Sequence, residues 1–163
     1  MALQTDTEIT SEQLAEIVQV SAIQVFEMMV GLPITSTKWT VHDDLRAFDG
    51  VVGMITFTGD WIGAGLFCCD EELACLFGSK MLMVEVAQVD ADVLDGVGEL
   101  SNMILGSVKE ALEKRTGPLA LGIPTVVYGK NFMARPGVHS AWIETSFEHE
   151  GREFAVWTSI QAV

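Results

Sequence analysis

Positive charge is scarce in this chain. Nine Lys and Arg stand against 23 Asp and Glu, a formal net charge of −14 over 163 residues. The few basic residues are scattered, so no basic stripe exists for nucleic acid or an anionic membrane to read. Apolar runs are short, and none approaches the roughly 18 residues of a membrane span. Met1–Gln4 is not followed by a basic region and an apolar core, so no secretory leader is expected. Only three cysteines are present. An odd number argues against a disulfide framework and for a reducing, cytoplasmic setting. Linkers, low-complexity tracts and clear repeats are missing, and the length fits one domain covering residues 1–163.

Apolar residues, by contrast, are plentiful. Hydrophobic side chains make up 49% of the chain and the mean hydropathy is +0.34, which argues against disorder. Such richness leaves apolar surface for a partner, including a second copy of the chain.

The order of elements follows from periodicity and punctuation. Thr10-Ser11-Glu12-Gln13 fits a capping box, so a first helix should start near Thr10. Leu14, Val18, Val25, Met29 and Leu32 recur at helical spacing. Ile17, Ile23, Phe26 and Val30 widen the apolar face, and Gly31 and Pro33 end the helix. Ile34–His42 can be a strand. Asp49-Gly50 opens a β-rich stretch through Thr58, and Trp61–Cys69 returns as a hairpin partner. Asp70-Glu71-Glu72 begins a short helix ending near Gly78. Asp92–Arg115 is a long helix stopped by Gly117-Pro118. Leu119–Tyr128 reads as a strand in which Pro124 marks an edge or a bulge. Ala141–Glu148 and Glu153–Gln161 form a terminal hairpin around Glu150-Gly151. The expectation is an α+β layered domain with a mainly antiparallel sheet and long amphipathic helices.

The chemistry is concentrated on the long helix. At roughly 100° per residue, Leu94, Val97, Ile104, Leu105, Val108, Ala111 and Leu112 gather on one side. Asp95, Glu99, Asn102, Gly106, Glu110 and Glu113 gather on the other. A solvated face is the plain reading of such a stripe. Three details strain it. Asp95 and Glu99 are like charges at i, i+4. Gly96 and Gly98 each cost a helix about 1 kcal/mol relative to alanine. Gly106 leaves a bare patch on the polar stripe itself, which close docking by another protein would favour.

Asp95-Gly96-Val97-Gly98-Glu99-Leu100-Ser101-Asn102-Met103-Ile104-Leu105-Gly106 resembles the signature helix of the CheC, CheX and FliY phosphatases. The family pattern is Asp or Ser, three residues, Glu, two residues, Asn, and a glycine four further on. Leu121-Gly122-Ile123-Pro124-Thr125-Val126-Val127 follows as a proline-bearing strand, and the resemblance in element order covers nearly the whole chain. Only one complete motif is present, which is similar to CheX rather than to the two-motif CheC proteins. On the first helix Glu16 and Gln19 share the Glu-to-Asn spacing, but Glu12 and Ile23 occupy the outer positions, and a solvated pair is expected there.

The resemblance implies a phosphatase acting on the aspartyl-phosphate of a CheY-like receiver. It implies that Asn102 orients the attacking water and that Glu99 pairs with the receiver's active-site lysine. Asp95 either aids docking or simply favours the helix N-terminus, and Gly106 is assigned to docking. The essential Mg²⁺ is expected in the receiver, with no cofactor of the chain's own, and a homodimer is implied. Two other readings stay open: a non-catalytic module that binds a receiver or motor protein through the same helix, and a dimeric structural domain.

Other constellations carry less. Cys68-Cys69 and Cys75 lack the spacing of a zinc hook; alternation along a strand would also point the adjacent pair to opposite faces. His42, His139 and His149 are dispersed and flank turns. Gly129-Lys130-Asn131 lacks the glycine-rich loop of a phosphate cradle. Lys130, Arg135 and His139 are expected in solvated loops.

Overall fold

The computed structural model describes residues 8–163, so Met1–Gln4 lies outside them. The elements are α1 (Ser11–Val25, extended by a π-helical turn Phe26–Val30), β1 (Thr35–His42), β2 (Phe48–Gly59), β3 (Trp61–Cys69), α2 (Glu71–Leu82), α3 (Ala91–Thr116), β4 (Leu119–Leu121), β5 (Thr125–Phe132), β6 (Trp142–His149) and β7 (Arg152–Ala162). The α+β fold with a mainly antiparallel sheet is the observed one.

Local chemistry sets most boundaries. Thr10 Oγ1 accepts from the Gln13 N–H (3.2 Å) and Gln13 Oε1 accepts from the Thr10 N–H (3.0 Å), completing the capping box. At the far end the Gly31 N–H reaches back to the Phe26 carbonyl (2.7 Å), with Gly31 at φ 74°. That wide turn advances each residue by less than an α-helical step. Phe26 and Val30 therefore stay in the core, while Met29, expected on the apolar face, is 55% exposed.

Two further boundaries differ from expectation. Gly78 does not end α2; it is buried within the helix, where a Cβ would lie 3.3 Å from Val93. The helix runs on to Leu82 and closes at Met83 (φ 58°). The single strand expected at Leu119–Tyr128 is two. β4 pairs with β2 at Phe57–Gly59, and β5 pairs with β2 at Phe48–Met54. Between them the Gly122 N–H donates to the Thr56 carbonyl (2.8 Å), and Pro124 has no N–H to offer a ladder.

The sheet runs β1-β6-β7-β3-β2, with β4 and β5 sharing the outer edge of β2, and every pairing is antiparallel. The order has an internal two-fold character. One set, α1 with β1, β2 and β3, matches a second, α3 with β5, β6 and β7. Each set gives its first strand to the other's hairpin.

The helices cover one face. Phe26, Phe77 and Phe154 meet there with ring centroids 5.0–5.3 Å apart, flanked by Phe67 and Phe147. Each such ring buries a large apolar area, and the edge and stacked contacts add to it. Trp142, Trp157, Leu66 and Val52 form a smaller cluster on the opposite face, beneath segments carrying Leu45, Ala134 and Val138.

Candidate functional site on α3

α3 starts where Asp90 Oδ1 accepts from the Val93 N–H (2.8 Å). Val93, Val97, Leu100, Ile104, Leu105, Val108 and Leu112 are fully buried. The helix approaches the sheet closely because glycines lie under it. A Cβ at Gly53 of β2 would fall 2.1 Å from Ser101 Oγ, and one at Gly65 of β3 would fall 2.3 Å from Leu105 Cδ2. Ser101, in the interior, satisfies its own hydroxyl by donating to the Val97 carbonyl (2.7 Å).

Seating these residues turns the polar stripe outward. Asp95, Glu99 and Glu110 are exposed; Asn102 and Gly106 are half-buried. Neither Glu99 nor Asn102 joins a side-chain hydrogen bond or ion pair among the described residues. Glu113, also on the stripe, is committed to the fold. Its carboxylate accepts from the Leu119 N–H (2.9 Å) and from Lys109 (2.9 Å), contacts that hold it below the usual carboxylate range.

The helix glycines divide into two kinds. Gly96 and Gly98 are buried: a Cβ at Gly96 would lie 3.6 Å from the Gly78 Cα, and one at Gly98 would lie 3.2 Å from Val126. Close approach of β5 explains Gly98, while a side-chain carbon at Gly96 would meet α2 at ordinary contact distance. Gly106 is different. A Cβ there would make only ordinary contact with Leu121, at 3.8 Å, so the protein's own packing does not require glycine at that place.

A shallow depression adjoins the stripe, lined by Leu94, Asp95, Gly98, Glu99, Pro124 and Val126. The wall from the start of β5 is the part that periodicity does not reveal; its one signal is the proline-bearing segment after α3. The site thus consists of an acidic helix face beside an apolar ledge.

The other candidates lie apart. Cys68 is half-buried and Cys69 buried, and burial pushes both thiols up. His42 contacts Glu144 (3.1 Å) and stacks on Trp157 (4.7 Å between centroids). His149 is buried with Nδ1 2.7 Å from the Pro33 carbonyl, and His139 is exposed, as are Lys130 and Arg135. On α1, Glu12 and Glu16 are exposed and Gln19 is half-buried. No described helix is long and apolar enough to cross a membrane.

A larger groove between α2 and the chain that leads into α3 ends at Tyr128, the single tyrosine. Its hydroxyl donates to Glu71 Oε1 (2.8 Å), which holds the phenol's pKa above its usual value. The neutral phenol is favoured in the folded state. Its contribution to stability is therefore present below the unfolded pKa, about 10, and is lost as pH rises through the raised folded value. Phenolate absorbance in the native protein should titrate above that of free tyrosine, and Glu71→Gln should lower the midpoint. An unshifted wild-type midpoint would show the contact is not held in solution.

Comparison with known proteins places the fold and the family. No curated protein matches the sequence. Among solved structures, a putative chemotaxis protein from Desulfovibrio vulgaris Hildenborough superposes with a TM-score of 0.83 at 22% identity, covering 91% of this chain and 97% of that one. Chemotaxis protein CheX from Vibrio vulnificus gives 0.81 at 24% identity, covering 91% and 99%. A CheX solved in complex with CheY, BeF3 and Mg²⁺ from Borrelia burgdorferi gives 0.76 at 21% identity, covering 94% and 99%. These likenesses establish the fold. The family itself is shown by the sequence of residues 51–148, which matches the model for the chemotaxis phosphatase CheX, so the chain belongs to the CheX family.

Proposed function

We propose that the chain is a phosphatase for the aspartyl-phosphate of a CheY-like receiver, acting in the cytoplasm. The observation that carries the reading is a neutral amide and a carboxylate, Asn102 and Glu99, one helical turn apart, facing solvent on a helix whose other side is fully buried. Three residues span about 4.5 Å along a helix axis, so two side chains can engage two neighbouring groups of one partner. Family membership supports the reading, as does the Borrelia CheX, which was solved with CheY.

In this mechanism Glu99 pairs with a lysine beside the receiver's phosphoaspartate and fixes how far α3 enters. Asn102 accepts from and donates to one water, aligning its oxygen with the phosphorus opposite the aspartyl oxygen. The new P–O bond forms as the bond to the aspartyl oxygen breaks. Phosphate leaves and the aspartate is regenerated as carboxylate. A carboxylate at position 102 would repel the phosphoryl oxygens; an amide does not. Mg²⁺, expected in the receiver, would neutralise developing charge there. Asp95 extends the acidic face toward the helix start, and Gly106 leaves room at the other end. The net charge of −14 favours partners with basic surface at their active site.

The test is direct. Receivers are phosphorylated with a small phosphodonor and phosphate release is followed with and without the protein. Acceleration is expected for the cognate receiver. Binding without acceleration would leave an adaptor, and no binding to any receiver would leave a structural domain.

The proposal includes a homodimer, supported by the resemblance to CheX and by a sheet with outermost strands at both ends. Trp39 and Val41 on β1 are exposed, which a second subunit could cover. Sedimentation equilibrium at micromolar concentration should return twice the chain mass; a monomer mass would remove this part.

A further inference from the structure

One exposed side chain after α3 is not used by the proposed chemistry. Ile123 is 91% exposed, on the short connection between β4 and β5. An isolated exposed aliphatic residue is unremarkable, but the placement of this one is specific. Leu121 adjoins Gly106, and Pro124 lines the depression with Gly98 and Glu99. The connection therefore runs along α3 in the reverse direction, and residues 122–123 pass abreast of Asn102.

The tip is also held. The Gly122 N–H donates to the Thr56 carbonyl (2.8 Å). A Cβ at Gly122 would lie 2.6 Å from Thr56 Oγ1, so the chain lies directly on β2. Leu121 and Val126 on either side pack into the core. A residue before proline is confined to extended backbone, and a β-branched side chain has few rotamers. Ile123 is thus an apolar knob on backbone that is held in place before any partner arrives.

We infer that Ile123 is the apolar anchor by which the chain selects its phosphorylated receiver, entering a nonpolar recess next to the phosphoaspartate. This rests on the function proposed above. A pre-ordered anchor loses little conformational entropy on binding. The acidic stripe then supplies attraction and approach, and Ile123 supplies discrimination among receivers that all carry the same lysine and phosphoaspartate.

The test uses the full chain and a receiver that the wild-type protein dephosphorylates. Initial rates are measured over receiver concentration for Ile123→Ser, Ile123→Ala and Ile123→Val. The serine and alanine variants should raise KM about tenfold or more, the scale of one buried aliphatic side chain, with kcat within about twofold. Valine should recover most of the affinity. Thermal midpoints should match wild type, since the side chain is in water. A serine variant with wild-type KM, or a loss confined to kcat, would overturn the inference and leave the function intact. A wild-type protein that accelerates no receiver would overturn both.

Discussion

Replacing Asn102 with alanine is expected to abolish the stimulated release of phosphate and leave the fold in place. The side chain is half-buried and makes no hydrogen bond among the described residues, so little native structure depends on it. Stability should change by no more than about 0.5 kcal/mol, as for most surface substitutions. The kinetic cost is of another order. Misplacing a reacting group by about 1 Å can cost about a hundredfold, and deleting the group that positions the water should cost at least that in kcat. Asn102→Asp sharpens the test. It keeps the shape and removes the donor, setting a negative charge against the phosphoryl oxygens, so it should be as inactive as alanine. Phosphate-release kinetics beside thermal melts make both measurements. Wild-type acceleration by either variant would show that the water is oriented by something else.

Gly53→Ala should have a large effect on stability for a small chemical change. The added Cβ would sit 2.1 Å from Ser101 Oγ and 2.9 Å from Ser101 Cβ, while the next neighbour, the Val97 carbonyl oxygen, is 3.7 Å away. The clash is thus with one side chain. α3 must lift or the sheet must bend, at about 2–3 kcal/mol for an overpacked site. Asn102 follows Ser101 directly, so a lifted helix also moves the amide, and activity should fall with stability. Ser101→Gly opens the same space at a helix-propensity cost below about 1 kcal/mol. The pair Gly53→Ala with Ser101→Gly should therefore be more stable than Gly53→Ala alone, a coupling that denaturant melts can measure. If the second substitution only adds its own cost, the contact is not the cause.

The face of α3 is legible in the sequence because an amphipathic helix declares its buried side by period alone. Val97, Ile104, Leu105, Val108 and Leu112 carry that signal, and the acidic stripe is what remains. The caps at Thr10 and the Glu150-Gly151 turn are legible for the same local reason; Glu150 and Gly151 both take positive φ in a two-residue hairpin loop. The rest is decided by contacts distant in sequence. Gly78 looks like a helix stop, but it is a flat place where α3 presses on α2. Gly96 and Gly98 look like surface costs, but they lie under neighbours. Met29 falls out of the core because a π turn, set by Gly31 and the packing of Phe26, interrupts the helical count. The ledge at Pro124 and Val126 belongs to the site only because β5 pairs with β2, a fact of topology that no local pattern encodes.

That topology bears on how the polypeptide reaches its native state. β1 emerges from the ribosome long before β6, yet Thr35 must find Glu148 and Val41 must find Ile143. The β2–β3 hairpin can close at once, but it waits for β5 on one flank and β7 on the other. Neither matching set of elements is self-sufficient, because each lends a strand across the middle. Nascent chains must therefore carry unpaired edges and the Trp39-bearing strand through most of their synthesis, the interval in which such edges attract other chains. Slow, late cooperative closure is built into this crossed arrangement of strands.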